Sequence, residues 1–118
     1  DLSHGQQQAL ELAMVLACQP TLLLLDEPMA GMSQHESEAM TRLLLQLRGQ
    51  YTILLVEHDM QAVFALSDRI TVLVYGRALA CGTADDIRNN PQVRECYLGS
   101  ERGSRRAAAD PRKLGVPA

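Results

Sequence analysis

The chain has 118 residues, 47% hydrophobic and 21% charged, with a formal net charge of −3, an ordinary composition for one small soluble domain. No apolar run approaches the roughly 20 residues needed to span a bilayer, and the polar N-terminus offers no signal peptide. The charge is uneven: the segment from Glu101 on is +3, the first 100 residues are −6, and the only lysine is Lys113. That acidic core is a poor nucleic-acid surface, so no nucleic-acid partner is expected. Cys18, Cys81 and Cys96 are scattered, without metal-ligand spacing, and are expected to be buried or idle thiols.

In chain order, Ser3 and Gln6 form an S-x-x-Q capping box, so a helix starts just after Ser3. Ala9, Leu12, Ala13, Leu16 and Ala17 give it an apolar face, and Gln19-Pro20 ends it. Leu22-Leu23-Leu24-Leu25 reads as a strand buried on both faces, running into Asp26-Glu27-Pro28. After the Ala30-Gly31-Met32 turn, Ser33 and Glu36 cap a second helix, about Gln34 to Arg48, with a stripe of Met40, Leu43, Leu44 and Leu47 and Gly49 at C′. Thr52 to Val56 is a second buried strand and ends in Glu57-His58-Asp59. Asp59 can cap a short helix through Ala62, Val63 and Leu66.

Ile70 to Val74 is a third strand, turned by Tyr75-Gly76-Arg77 into an antiparallel return over Ala78 to Cys81. Thr83 with Asp86 caps another helix ending near Asn89-Asn90, and Pro91 starts a final short one through Val93 and Tyr97 to Leu98. From Gly99 the composition predicts a disordered tail. Strands alternating with helices, followed by a hairpin, argue an α/β fold with a mainly parallel sheet. Because the chain lacks an initial Met and opens inside a motif, it is expected to be a piece of something longer.

The chemistry concentrates at three places. Carboxylates at the carboxyl end of a parallel strand lie where α/β sheets bind ligands, so Asp26 can serve Mg²⁺ and Glu27 can act on a water, as at the end of a Walker B strand. A core strand with an acidic cap on the next turn is the competing reading. The first helix presents free N–H groups to an anionic phosphate, where Ser3 adds a hydroxyl and Gly5 allows close backbone approach. His58, ending the next strand, can reach a γ-phosphate and the same water. His4 and His35 read as surface residues, Glu57 as structural, Met14, Met40 and Met60 as core or partner-facing, and Tyr75 and Tyr97 as structural.

In this order Leu2-Ser3-His4-Gly5-Gln6, Leu22 to Pro28 and Val56-Glu57-His58-Asp59 resemble the second half of an ABC transporter ATP-binding subunit over about residues 1–99. His4 replaces the first glycine of the LSGGQ signature, and Ser33 replaces the usual Asp of the D-loop. The resemblance implies a partial P-loop NTPase domain (1–99) followed by the tail (100–118). It implies ATP and Mg²⁺ as cofactors, with Ser3, Gly5 and Gln6 binding ATP, Asp26 on the metal, and Glu27 and His58 catalytic. It also implies a head-to-tail dimer with a second nucleotide-binding subunit, a transmembrane permease, and a place at the cytoplasmic face of the membrane.

Val56 to Met60, Ser67 to Ile70, Ile87 to Pro91 and Tyr97-Leu98-Gly99 are similar to the branched-chain amino acid and urea uptake branch, and the LSHGQ form to its urea members. No GxxxxGK[ST] occurs in the 118 residues, so the phosphate cradle is missing, and the chain alone is expected to be inactive. Two alternatives remain: a non-catalytic remnant or interaction module, and a soluble ABC-type ATPase acting on DNA or ribosomes.

Overall fold

The computed structural model describes residues 1–98; the expected tail and Gly99 lie outside the described residues. The described chain is α/β and divides into two compact units, the first Asp1–Leu66, the second from Ser67 on.

The first unit is α1 (His4–Ala17), β1 (Leu22–Asp26), α2 (Gln34–Leu47), β2 (Thr52–Val56) and α3 (Met60–Leu66). Both capping boxes form, at Ser3 and Gln6 and at Ser33 and Glu36. Helix α1 stops where Gln19 takes φ 52 ahead of Pro20, which supplies no N–H to continue the ladder. At the end of α2, Gly49 keeps out of the left-handed region. The N–H groups of Gln50 and Tyr51 both close onto the Leu47 carbonyl, at 2.9 and 3.0 Å, in a tight turn instead. Asp59 caps α3 by accepting the Ala62 N–H at 3.2 Å.

Strands β1 and β2 pair in parallel, Leu22 opposite Thr52 through Asp26 opposite Val56, with α2 as the crossover. Side chains alternate across the strands. Leu23 and Leu25 of β1, and Ile53 and Leu55 of β2, are buried or half-buried, whereas Leu22, Leu24, Leu54 and Val56 are exposed. Burial on both faces is therefore not what the structure shows, because the helices of this unit cover one face only. The core joins Leu12, Met29, Met40, Leu44 and Ala62, with Ala9, Leu16, Leu25 and Leu47 packed against it. Ala13 and Ala17 stay exposed, so only the Ala9–Leu12–Leu16 line of α1 faces inward. Met14 is exposed and Met60 half-buried.

The second unit is β3 (Ile70–Val74), β4 (Arg77–Gly82), α4 (Ala84–Arg88), α5 (Pro91–Val93) and a π-helical turn, Arg94–Leu98. Tyr75 and Gly76 take φ 49 and 74, the positive values a two-residue type I′ hairpin requires. The antiparallel pairing of β3 with β4 carries an irregularity between Val72 and Leu73. Thr83 and Asp86 cap α4 reciprocally, and Asn90 caps α5 ahead of Pro91. The Tyr97 hydroxyl donates to the Leu73 carbonyl at 2.8 Å, a structural role. Cys18 and Cys81 are exposed, so they are not the buried kind of thiol, and Cys96 is half-buried; all three are free. The surface position of Cys81 allows the Thr71 hydroxyl to reach its sulfur at 3.3 Å. That bond, with the charge of Arg69, lowers the thiol pKa.

Candidate functional site

Parallel pairing brings the carboxyl ends of β1 and β2 to one edge, where Asp26 lies opposite Val56. Glu27 leaves β1 with φ 47, a left-handed conformation that costs a non-glycine residue about 1 kcal/mol. Its N–H compensates with a short bond to the Val56 carbonyl, 2.7 Å. Leaving the strand in this way, Glu27 brings Oε1 to 3.1 Å from Nδ1 of His58, with the carboxylate half exposed and the imidazole 72% exposed. The contact requires a proton on Nδ1 or on the carboxylate, and a proton on Nδ1 leaves Nε2 free to accept.

Glu57 lies behind this pair, its side chain only 1% exposed. Its Oε2 accepts the Met29 N–H at 3.1 Å, and its Oε1 accepts the N–H groups of His58 at 3.0 Å and Asp59 at 3.4 Å. One buried carboxylate thus fixes the loop after β1 to the end of β2. It also lies 3.7 Å from His58 Nδ1, so the imidazole sits between two carboxylates.

Asp26 is exposed at the end of β1. Among the described residues no group of three His, Cys, Asp or Glu gathers as a metal site. One exposed carboxylate at a strand end suits Mg²⁺, which keeps most of its water and takes one or two protein carboxylates beside substrate phosphate.

The second locus is the N-terminus of α1. Ser3 Oγ accepts the Gln6 N–H at 3.2 Å, and Gln6 Oε1 accepts the Ser3 N–H at 2.9 Å. The backbone N–H and side-chain oxygen of Gln6 are therefore committed to the cap, while the Ser3 hydroxyl keeps a proton to donate. Gly5 is where a side chain would be resisted: a Cβ there would lie 3.1 to 3.2 Å from Cδ, Cγ and Oε1 of Glu36. The group that comes close to this glycine is thus a carboxylate of α2. Glu36 Oε2 accepts the Ser33 N–H at 3.0 Å. That amide, then the Ser3 hydroxyl, with a smaller contribution from the Gly5 N–H, hold the Glu36 carboxyl below its usual pKa. The ring of His4 approaches Gly31 (φ 75) so closely that a Cβ there would meet Nε2 at 3.2 Å.

The structure therefore brings Glu27 to His58 and Ser3 to Gln6. It places Asp26 at the strand edge and Gly5 under Glu36. The loop Pro28 to Ser33 links the two loci, anchored by Glu57 at Met29 and by Glu36 at Ser33. Sequence reasoning passed over Glu36 beyond its own helix, and it read His4 as a solvated surface residue. The only signal for the first was a capping-box glutamate, which says nothing about a second helix. A separate groove of about 500 Å³ between α2 and α3, lined by Met32, Thr41, Asp59 and Ala62 among others, contains none of these site residues.

The chain is similar to known proteins in sequence and in fold. Residues 1–30 match the ABC transporter family, and residues 79–102 match the branched-chain amino acid ATP-binding cassette transporter family. The high-affinity branched-chain amino acid transport ATP-binding protein LivG of Salmonella typhimurium is 46% identical over 101 residues, covering 84% of this chain and 40% of its own length. BraF of Pseudomonas aeruginosa, described in the same words, is 44% identical over 83% of this chain and 39% of its own. The chain thus spans about 40% of the length of these relatives.

Among solved structures, the ADP conformation of MJ1267, an ATP-binding cassette of an ABC transporter, superposes with a TM-score of 0.73. It is 28% identical over 84% of this chain and 41% of its own. The cbiO1 protein of Clostridium perfringens, part of the ABC transporter complex cbiONQ, gives a TM-score of 0.69 at 30% identity over 86% and 41%. With a shared fold and a shared sequence, the chain belongs to the family of ABC transporter ATP-binding proteins.

Proposed function

We propose that this chain supplies the signature face and the hydrolytic carboxylate of an ATPase that drives a branched-chain amino acid importer. The observation that carries the reading is the Glu27–His58 pair, 3.1 Å apart at the carboxyl edge of a parallel strand pair. Amino acids are preferred to urea because LivG and BraF are named for branched-chain amino acid transport.

In this reading Glu27 orients and polarises the attacking water, its carboxylate held in place by His58. Only with both ring nitrogens protonated can His58 donate Nδ1–H to Glu27 and Nε2–H toward the γ-phosphate. Asp26 would hold Mg²⁺, which would supply positive charge against the phosphate oxygens. Ser3 and the N–H groups opening α1 face the triphosphate carried by a second nucleotide-binding subunit, while a permease transmits the closure of the pair. Such a chain works at the cytoplasmic face of a membrane as a peripheral subunit. Among the described residues no helix is long and apolar enough to cross one.

No GxxxxGK[ST] occurs in these 118 residues; the ATP that Ser3 and α1 face lies in a cradle of that kind on the second subunit, and these 118 residues alone neither hold ATP tightly nor hydrolyse it. The same observation favours a second reading, an interaction module without catalysis.

Calorimetry with Mg-ATP tests both. The experiment uses the chain alone, then mixed with full-length Escherichia coli LivG carrying glutamine at the position aligned with Glu27. Silence alone with ATP-dependent association in the mixture supports the trans-acting reading. Silence in both supports the module. Tight binding by the chain alone overturns the reading, because these residues would then hold a phosphate site of their own.

A further inference from the structure

Nδ1 of His58 faces two carboxylate oxygens, Oε1 of Glu27 at 3.1 Å and Oε1 of Glu57 at 3.7 Å. A bare lone pair there would meet two negative charges, whereas an N–H is attracted to both. The two carboxylates are not equal partners. Glu27 is half exposed, so water screens its charge and its side chain is free to turn away. The Glu57 side chain is 1% exposed, and both of its oxygens are committed. Oε2 accepts the Met29 N–H at 3.1 Å, and Oε1 accepts the N–H of His58 itself at 3.0 Å. Glu57 therefore cannot turn, and little water stands beside it to weaken its field.

We propose that Glu57 is a positioning residue that selects the tautomer of His58: the neutral ring carries its proton on Nδ1 and leaves Nε2 bare, as an acceptor. In a histidine the group facing one ring nitrogen decides which of the two is protonated. A carboxylate is needed for this, because glutamine at the same place has one oxygen. Its NH₂ group would face the N–H of either Met29 or His58, donor against donor. The functional consequence rests on the ATPase reading above; the tautomer itself does not. A bare Nε2 and a γ-phosphate oxygen are both acceptors, so the neutral ring is matched to a donor such as water. It bonds phosphate only after Nε2 takes a proton of its own.

Nitrogen NMR of the isotope-labelled full chain tests the proposal, read at a pH high enough that the His58 signals no longer move. The chain has three histidines, and those signals are assigned by their loss in H58Q. The parent is expected to show a pyrrole-type Nδ1 and a pyridine-type Nε2. In E27A only Glu57 faces the ring, and Nδ1–H should remain the main form. In E57Q, with the fold checked by the helix amide signals, the ratio should shift severalfold toward Nε2–H although Glu27 is still present. E27A alters a half-exposed side chain and keeps its backbone bond to Val56, so it decides the matter even where E57Q fails to fold. A parent ring protonated on Nε2 overturns the proposal. A switch to Nε2–H in E27A also overturns it, making Glu27 the selector. An unchanged ratio in folded E57Q overturns it too, leaving Glu57 a brace between the two loops. No nucleotide enters these measurements, so their failure is distinct from failure of the ATPase reading, which the calorimetry reports.

Discussion

The residue that does most to hold the candidate site together is Glu57, so its loss measures how the site is built. Glu57→Ala strips acceptors from three backbone N–H groups, those of Met29, His58 and Asp59. Met29 is itself buried, 5% exposed, so water cannot replace its lost partner, and an orphaned buried donor costs about 1–3 kcal/mol. The other two donors lie nearer the surface, and water repairs most of their loss, leaving roughly 1 kcal/mol between them. The expected destabilisation is about 2–4 kcal/mol, a large fraction of the stability of a small domain.

Urea unfolding followed by far-ultraviolet circular dichroism reads this as a midpoint lowered by roughly 2–4 M, taking a slope of about 1 kcal/mol per molar. Glu57→Gln keeps one acceptor oxygen and is expected to lose about half as much. In the folded fraction, the His58 ring resonances should move in both variants, since the imidazole lies against Glu57 as well as Glu27. An alanine variant within about 0.5 kcal/mol of the parent would refute the reasoning, because the bonds to Met29, His58 and Asp59 would then carry no net stabilisation.

Two further expectations follow from the same unit and its neighbour. Gly31→Ala places a Cβ at a φ of 75 and 3.2 Å from His4 Nε2, so it should cost about 1–2 kcal/mol. Adding His4→Ala should return the steric part and leave the backbone part, which a double-mutant cycle separates; full additivity would show that the ring simply swings away. Glu36 and Asp86 both have pKa values depressed in the folded chain, mainly by the Ser33 and Thr83 amides they cap. Between the folded and unfolded values the unfolded state binds more protons, so stability is fully present above about pH 4.5 and is lost as pH falls through the folded values. Urea midpoints at pH 7, 5, 4 and 3 should fall only in the acid range and fall less steeply in Glu36→Gln and Asp86→Asn. A flat profile, or variants with the parent's slope, would contradict the assignment.

What the sequence made legible was local. The caps at Ser3, Ser33 and Thr83 formed because each is written within three residues, and the Tyr75-Gly76 turn formed because two positive φ values suffice to reverse a strand. The Glu27–His58 pair spans 31 residues. It could be anticipated only because parallel pairing brings the two strand ends to one edge. The bond from Met29 to Glu57 spans 28 residues and had no such guide, since a glutamate after a strand looks the same whether it faces water or a backbone amide. The same blindness hid the meeting of Gly5 with Glu36. The exposed face of Leu22, Leu24, Leu54 and Val56 was misread for a different reason. Apolar character at every position says that both faces of a strand tolerate burial, but not whether this chain provides cover for both.

These long-range contacts share one segment. Pro28 to Ser33 is only six residues, about 20 Å at full stretch: Met29 is held by Glu57, Ser33 by the cap of its own helix, and Gly31 lies beside the His4 ring. A loop so short and so often pinned has little freedom to absorb displacement. If the end of α1 moves when an anion takes its donors, His4 and Glu36 move with it or let go, and the shift reaches the residues after Glu27 within a few bonds. The left-handed backbone of Glu27 is the part of this path already under strain. It is therefore where a change at α1 would most readily alter the 3.1 Å contact with His58.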